Sequence, residues 1–178
     1  RLSEMGAWEE NWIGYREFHF PEVTTQKLRI TFMWNGVRLD ELEIFGPGNR
    51  RRNLALAAHD AEAFSPPEMA VVRAELFKVN DGQYGTEGWG AKAPKDSKQK
   101  PWIEFAFTQP HDVDRIRMST NREDFLETDY LEGLNKSNFS PCRVEVQDVD
   151  GAWKQVVSTM NFPQKNKTNP SRAGTLEQ

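Results

Sequence analysis

At 178 residues the chain is long enough for one sizeable core or at most two small domains. Its 37% hydrophobic residues, with six Trp and eleven Phe among them, exclude a disordered chain, and no apolar run approaches the ~20 residues that span a bilayer. A formal charge of −4 excludes a field that would favour nucleic acid or an anionic membrane over other partners.

Residues 1–15 are rich in Trp and Glu and show no period. A chain that starts at Arg1, without Met or a signal segment, reads as a piece of a longer protein, so its compartment is not written at this end. "REFHF" (residues 16–20) alternates, and Pro21 is expected to close it. "KLRITF" puts Leu28, Ile30 and Phe32 on one face against Lys27, Arg29 and Thr31, the period of a half-buried strand. After a "WNG" turn, "RLDELEIFG" points Leu42 and Ile44 inward and Asp40, Glu41 and Glu43 outward, and "GPGN" stops it. Arg50, Arg51 and Arg52 follow as a solvated connector.

The stretch from Asn53 starts like an Ala-rich edge strand and dissolves into a Pro-Pro loop. "PEMAVVRAELFKV" predicts a short helix, with Pro67 early and Met69, Val72 and Leu76 apolar. Next comes "FKVNDGQYGTEGWG" (residues 77–90), a Gly-rich turn with Asn80, Asp81 and Gly82 at its centre. It offers backbone carbonyls, a carboxylate and aromatics within a few residues, which suits a cation or a small polar ligand. Asn-Asp-Gly is equally ordinary turn chemistry, because Gly accepts φ > 0 and Asn and Asp bond to their own backbone. "AKAPKDSKQK" (residues 91–100) sets four Lys against one Asp and reads as a mobile loop.

"PWIEFAF" and "VDRIRMS" are two further strands, with Ile103, Phe105 and Phe107 on one face of the first and Ile116 and Met118 on one face of the second. Residues 120–140 form a long loop with five acids and two bases, and loops of that length in a compact domain are functional or disordered. "CRVEVQDVDGAWKQVVST" is a hairpin that turns at "VDGA". Cys142 lies on its inward face, so an inert buried thiol is expected, and a lone cysteine excludes an intrachain disulfide. Residues 161–178 lack period and apolar content, as a linker or the edge of a missing domain would. Short strands separated by turn residues predict an all-β protein, an antiparallel β-sandwich.

The order of "NLALAA", "VNDGQYG", "WIEFAFTQPHDVDRIRMS" and "CRVEVQDVDGAWKQVV" resembles the discoidin, or coagulation-factor type C, family. Its sugar-binding branch is the family 32 carbohydrate-binding modules. The same order is similar to a module of large secreted or periplasmic proteins of planctomycete-type bacteria. The resemblance implies a jelly-roll-like, galactose-binding-domain-like sandwich. "TQKLRITF…VRLDELEIFG" (residues 25–46) looks like the family's closing strands, yet it precedes the rest. Two arrangements fit. In one, residues 1–160 form a single permuted sandwich closed by 1–46. In the other, 1–46 end a preceding domain and 50–160 begin a second.

By the same resemblance, a structural Ca2+ would take carbonyls of the turn at Val79 to Tyr84, the Asp81 carboxylate, and Glu41 or, second, Glu43. Sugar-binding relatives hold their ligand in loops at one end of the sandwich, on an aromatic platform with planar polar groups. The matching candidates are Trp89, His59, Asn121, Arg122 and Phe139, with a buried core role as the alternative for Trp89. His19, His59 and His111 are scattered outside any catalytic motif, which points away from an enzyme. The expectation is a non-catalytic, extracytoplasmic module that binds glycan, with no nucleic-acid or membrane partner. The alternative is an interaction domain that packs against other domains of its parent protein and takes no small ligand.

Overall fold

A computed structural model describes residues 6–12, 15–48, 52–59, 61–71, 75–83, 89–119 and 140–159. Its strands, in chain order, are β1 (Trp8–Trp12), β2 (Tyr15–Phe32), β3 (Gly36–Leu39), β4 (Glu41–Phe45), β5 (Glu62–Phe64), β6 (Ala70–Val71), β7 (Trp89–Lys92), β8 (Trp102–Ser119), β9 (Cys142–Gln147) and β10 (Trp153–Ser158). Among the described residues there is no α-helix; 3-10 turns lie at Ala57–His59 and Leu76–Val79. The protein is all-β and antiparallel. One sheet runs β10-β9-β2-β8-β4, with β1 on β2 and β5 on β8, and a second, three-stranded sheet runs β3-β7-β6.

The frame is a long ribbon. β2 and β8 are each 18 residues long and pair with each other along most of that length. At one end Tyr15–His19 lie between β1 and Arg115–Ser119, where β4 joins on the far side of β8. At the other end Leu28–Thr31 lie between β9 and residues 102–105 of β8. The register shifts twice between the ends, between His19 and Val23 and between Thr25 and Lys27.

Those shifts correct two expectations. Pro21 does not close a strand, and the stretch around Pro110 does not separate two. Proline has no N–H to give to a ladder, so a strand retains it where the pairing is already interrupted by an irregularity. Both prolines fall at the shifts, and the strands run on through them. The predicted helix is corrected too. Residues 67–69 turn, β6 follows, and Leu76–Val79 is a single 3-10 turn.

Alternation placed the core correctly. Leu28, Ile30, Phe32, Leu42, Ile44, Phe105, Ile116, Val144 and Val146 belong to one buried cluster, joined by Leu39, Trp89 and Ala91 of the small sheet. Burying each large apolar side chain contributes about 1.5–3 kcal/mol, an upper figure because unfolded chains already hide part of that surface. Cys142 is fully buried, and burial pushes its thiol up to about 12, so it is inert at neutral pH.

The opposite face of the ribbon carries paired charge. Arg29 meets Glu104 at 2.6 Å, with its guanidinium 4.8 Å from the Trp102 ring centroid and 4.3 Å from that of Trp153. At the other end Arg117 bridges Glu17 at 2.8 Å and Glu43 at 3.5 Å. Burial works against the Arg117 charge, but Glu43 and Glu17 outweigh it and hold its pKa above the ordinary value.

Candidate functional site

Two segments between strands, residues 52–59 and 75–83, are tied to each other and to β4 by buried hydrogen bonds. The Asn53 side-chain oxygen accepts the N–H of Ile44 at 3.0 Å and of Ala55 at 2.9 Å. Leu54 N–H donates to the Ile44 carbonyl at 2.7 Å. From the other segment, the Asn80 amide donates to the carbonyls of Ala55 at 2.8 Å and Ala61 at 3.4 Å, and the Asn80 carbonyl accepts Ala57 N–H at 3.0 Å. Asn53 and Asn80 are 7% and 2% exposed, so each stands in for the ladder bonds that irregular backbone lacks. Gly82, at φ +80, closes the turn; a Cβ there would meet Leu56 Cδ2 at 3.1 Å.

This bracing presents ring side chains at the surface. His59 is exposed, and its Nδ1 lies 2.9 Å from the Asn53 carbonyl. A carbonyl only accepts, so Nδ1 carries the proton and, in the neutral ring, Nε2 is an acceptor. In the Leu76–Val79 turn, residues three apart share a side. Leu76 and Val79 pack on the core, which leaves Phe77 54% exposed. Lys78 Nζ lies 5.4 Å from the Phe77 ring centroid and 3.4 Å from Asp81 Oδ2. Phe64, 39% exposed, lies on β5, which packs against the same turn.

Beneath the turn sits Glu41. Its strand pairs with the end of β8, where Glu41 lies opposite Ser119. Glu41 Oε1 accepts the Gly82 N–H at 3.2 Å, while Oε2 is buried without a hydrogen-bond partner. Burial, seconded by the charges of Asp81, Glu43 and Asp40, pushes its carboxyl up to about 9 against the pull of the Gly82 N–H.

Glu41 and the "NDG" turn thus meet through a direct hydrogen bond, and Glu43 and Asp81 each have protein partners. Glu43 is taken up by Arg117, and Asp81 Oδ1 accepts the Gln83 N–H at 2.9 Å while its Oδ2 faces Lys78. Val79 is fully buried. Asp40, Glu41 and Glu43 are 2%, 0% and 6% exposed, so the expected solvent-facing side of that strand is covered. Among the described residues no three His, Cys, Asp or Glu are grouped to hold a metal. The orphaned Glu41 oxygen and the surrounding acids suit a hard cation, and backbone carbonyls would have to complete its six to eight oxygens.

Trp89 takes the core alternative. It is fully buried opposite Leu39, with its indole N–H unpartnered, and offers no face to a ligand. Asn121, Arg122, Phe139 and Tyr84 lie outside the described residues. Sequence reasoning passed over Phe77, whose outward position follows from the 3-10 spacing of Leu76 and Val79. Asn80 is visible as the centre of a turn, but its bracing role and that of Asn53 are not, because those bonds reach across 25 and 9 residues.

The chain matches no protein-family model, no curated protein and no solved structure. No helix among the described residues is long and apolar enough to cross a membrane.

Proposed function

We propose that this chain is a non-catalytic carbohydrate-binding module of a larger extracytoplasmic protein, a jelly-roll relative of the discoidin-type domains its sequence resembles. One observation carries the reading: the 52–59 and 75–83 segments are cross-braced by Asn53 and Asn80 and present His59 and Phe77 outward. A ring exposed on a rigid loop stacks on the apolar face of a sugar at little conformational cost, and an imidazole nitrogen pairs with a hydroxyl. Residues 1–46 act as closing strands of the same domain, a reading supported by β2 and β4 both pairing with β8.

A structural Ca2+ beneath the loop pair belongs to this proposal. Its support is the buried, unpartnered Glu41 oxygen among Asp40, Glu43 and Asp81. The cation would pin the turn and take no part in chemistry. Excess Ca2+ should raise the melting temperature of chelator-treated protein, because a ligand held only by the folded state stabilises it by mass action, and Glu41→Gln should abolish that rise. Identical melting curves with Ca2+ and with chelator reject the cation.

The glycan reading is tested by glycan-array binding of the parent chain and of His59→Ala and Phe77→Ala. Binding lost in both variants, with melting curves intact, is the expected result. A parent chain that retains no glycan would instead be a domain that packs on its neighbours in the parent protein.

A further inference from the structure

Away from the loop pair, the turn after β2 and the lysine-rich run after β7 meet at one corner of the molecule. Trp34 is 48% exposed there. Its backbone is held on both sides: Trp34 N–H donates to Ser140 Oγ at 2.9 Å, and Met33 N–H to the Pro141 carbonyl at 2.8 Å. Next to it, the Asn35 carbonyl accepts Ala93 N–H at 2.7 Å, and Asn35 Oδ1 accepts Lys100 Nζ at 2.9 Å. Gly36 lies opposite Lys92 in the β3–β7 ladder. The run between is folded on itself, with Ser97 N–H on the Pro94 carbonyl at 3.0 Å and Gln99 N–H on Ser97 Oγ at 3.0 Å. The expected mobile loop is therefore a built one, pinned at Ala93 and Lys100 to the turn that carries Trp34.

Charge makes this corner unlike the rest of the chain. Lys92, Lys95 and Lys98 are exposed, Lys100 is half-buried, and among the described residues none of the four is paired with a carboxylate. The only acid in the run is Asp96, in a chain whose net charge is −4. Unpaired lysines in a run pinned at Ala93 and Lys100 to the turn that carries an exposed indole suit a ligand with a flat apolar ring face and fixed negative charges. We infer that this corner binds an anionic polysaccharide, a polymer of sugar rings bearing carboxylate or sulfate groups, with Trp34 stacked on a ring and Lys92, Lys95 and Lys98 on its charges. Double-stranded DNA and an anionic bilayer fit it less well, because both would set the remaining acidic surface against a densely charged partner.

The corner contains none of the loop-pair residues, so the two sites fail separately and His59→Ala leaves this one unchanged. The test is titration of the full chain with polygalacturonate for carboxylate, dextran sulfate for sulfate, and neutral dextran, followed by fluorescence and calorimetry. Variants are Lys95→Gln with Lys98→Gln, both exposed, and Trp34→Ala, each checked by its melting curve. At least one charged polymer should bind, neutral dextran should not, and raising salt from about 50 to 200 mM should weaken binding severalfold. The lysine pair and the Trp34 variant should each lower affinity about tenfold, the first flattening the salt dependence and the second leaving it unchanged. No binding to either charged polymer overturns the proposal. So does equal affinity of the lysine pair and the parent, or of Trp34→Ala and the parent, or tighter binding to DNA or to phosphatidylserine vesicles at the same salt.

Discussion

Glu41 and Trp89 show how far burial decides what a residue does. Burial pushes the Glu41 carboxyl from an ordinary 4.5 up to about 9, so folding takes up a proton there at intermediate pH. The neutral form is the one the fold favours. Its contribution is therefore fully present below about pH 4.5 and is lost as pH rises towards 9. In chelator, urea titrations should show stability falling across that window, by up to about 1.4 kcal/mol per pH unit from this group. Glu41→Gln should remove that slope, and a slope that persists in Glu41→Gln would assign it to other groups. Trp89→Ala removes a fully buried indole and should cost about 3–5 kcal/mol. Trp89→Phe should lose less than half of that, because the indole N–H makes no hydrogen bond to forfeit. Equal losses in the two variants would mean that a ring at this position does not contribute to the core.

At the scale of elements, period-2 alternation read three strands correctly. The core-facing sides of residues 27–32, 41–45 and 142–147 follow from which side chains are apolar, although the other side of 41–45 is covered as well. The sequence misled where a strand bends. Pro21 and the "TQPHD" stretch look like stops, yet they mark register shifts inside the two longest strands, and continuity across a bulge depends on a partner strand far away in the chain. The apolar spacing of residues 67–76 matched a helix because a 3-10 turn and a short strand also place apolar residues three or four apart. The buried acids of β4 were read as solvent-facing because alternation separates two faces without saying whether the second is covered. The loop pair was half legible: the "NDG" turn and His59 were visible, while its braces are long-range side-chain bonds that no local pattern records. Asn80→Ala should therefore cost about 1–3 kcal/mol, by leaving the buried carbonyl of Ala55 without its donor. Hydrogen exchange at Ala57, whose N–H rests on the Asn80 carbonyl, should accelerate with it. An Asn80→Ala variant as stable and as protected as the parent would show that the two segments stand without the brace.

Across the whole molecule, the β2–β8 ribbon holds the rest together, since β1, β9, β4 and β5 all pair with one of its two strands. The small sheet is bound to it through Leu39, Trp89 and Ala91 in the shared core. Far-UV circular dichroism and tryptophan fluorescence should therefore report one coincident unfolding transition, and two separated transitions would mean that the sheets unfold independently. Glycan recognition through the loop pair carried on this frame is the reading proposed above. The most direct measurement is a glycan array probed with the parent chain, His59→Ala and Phe77→Ala, with melting curves recorded for all three. A defined set of sugars should be bound by the parent and lost in both variants at unchanged melting temperature. Retention of the same sugars by both stable variants would contradict it.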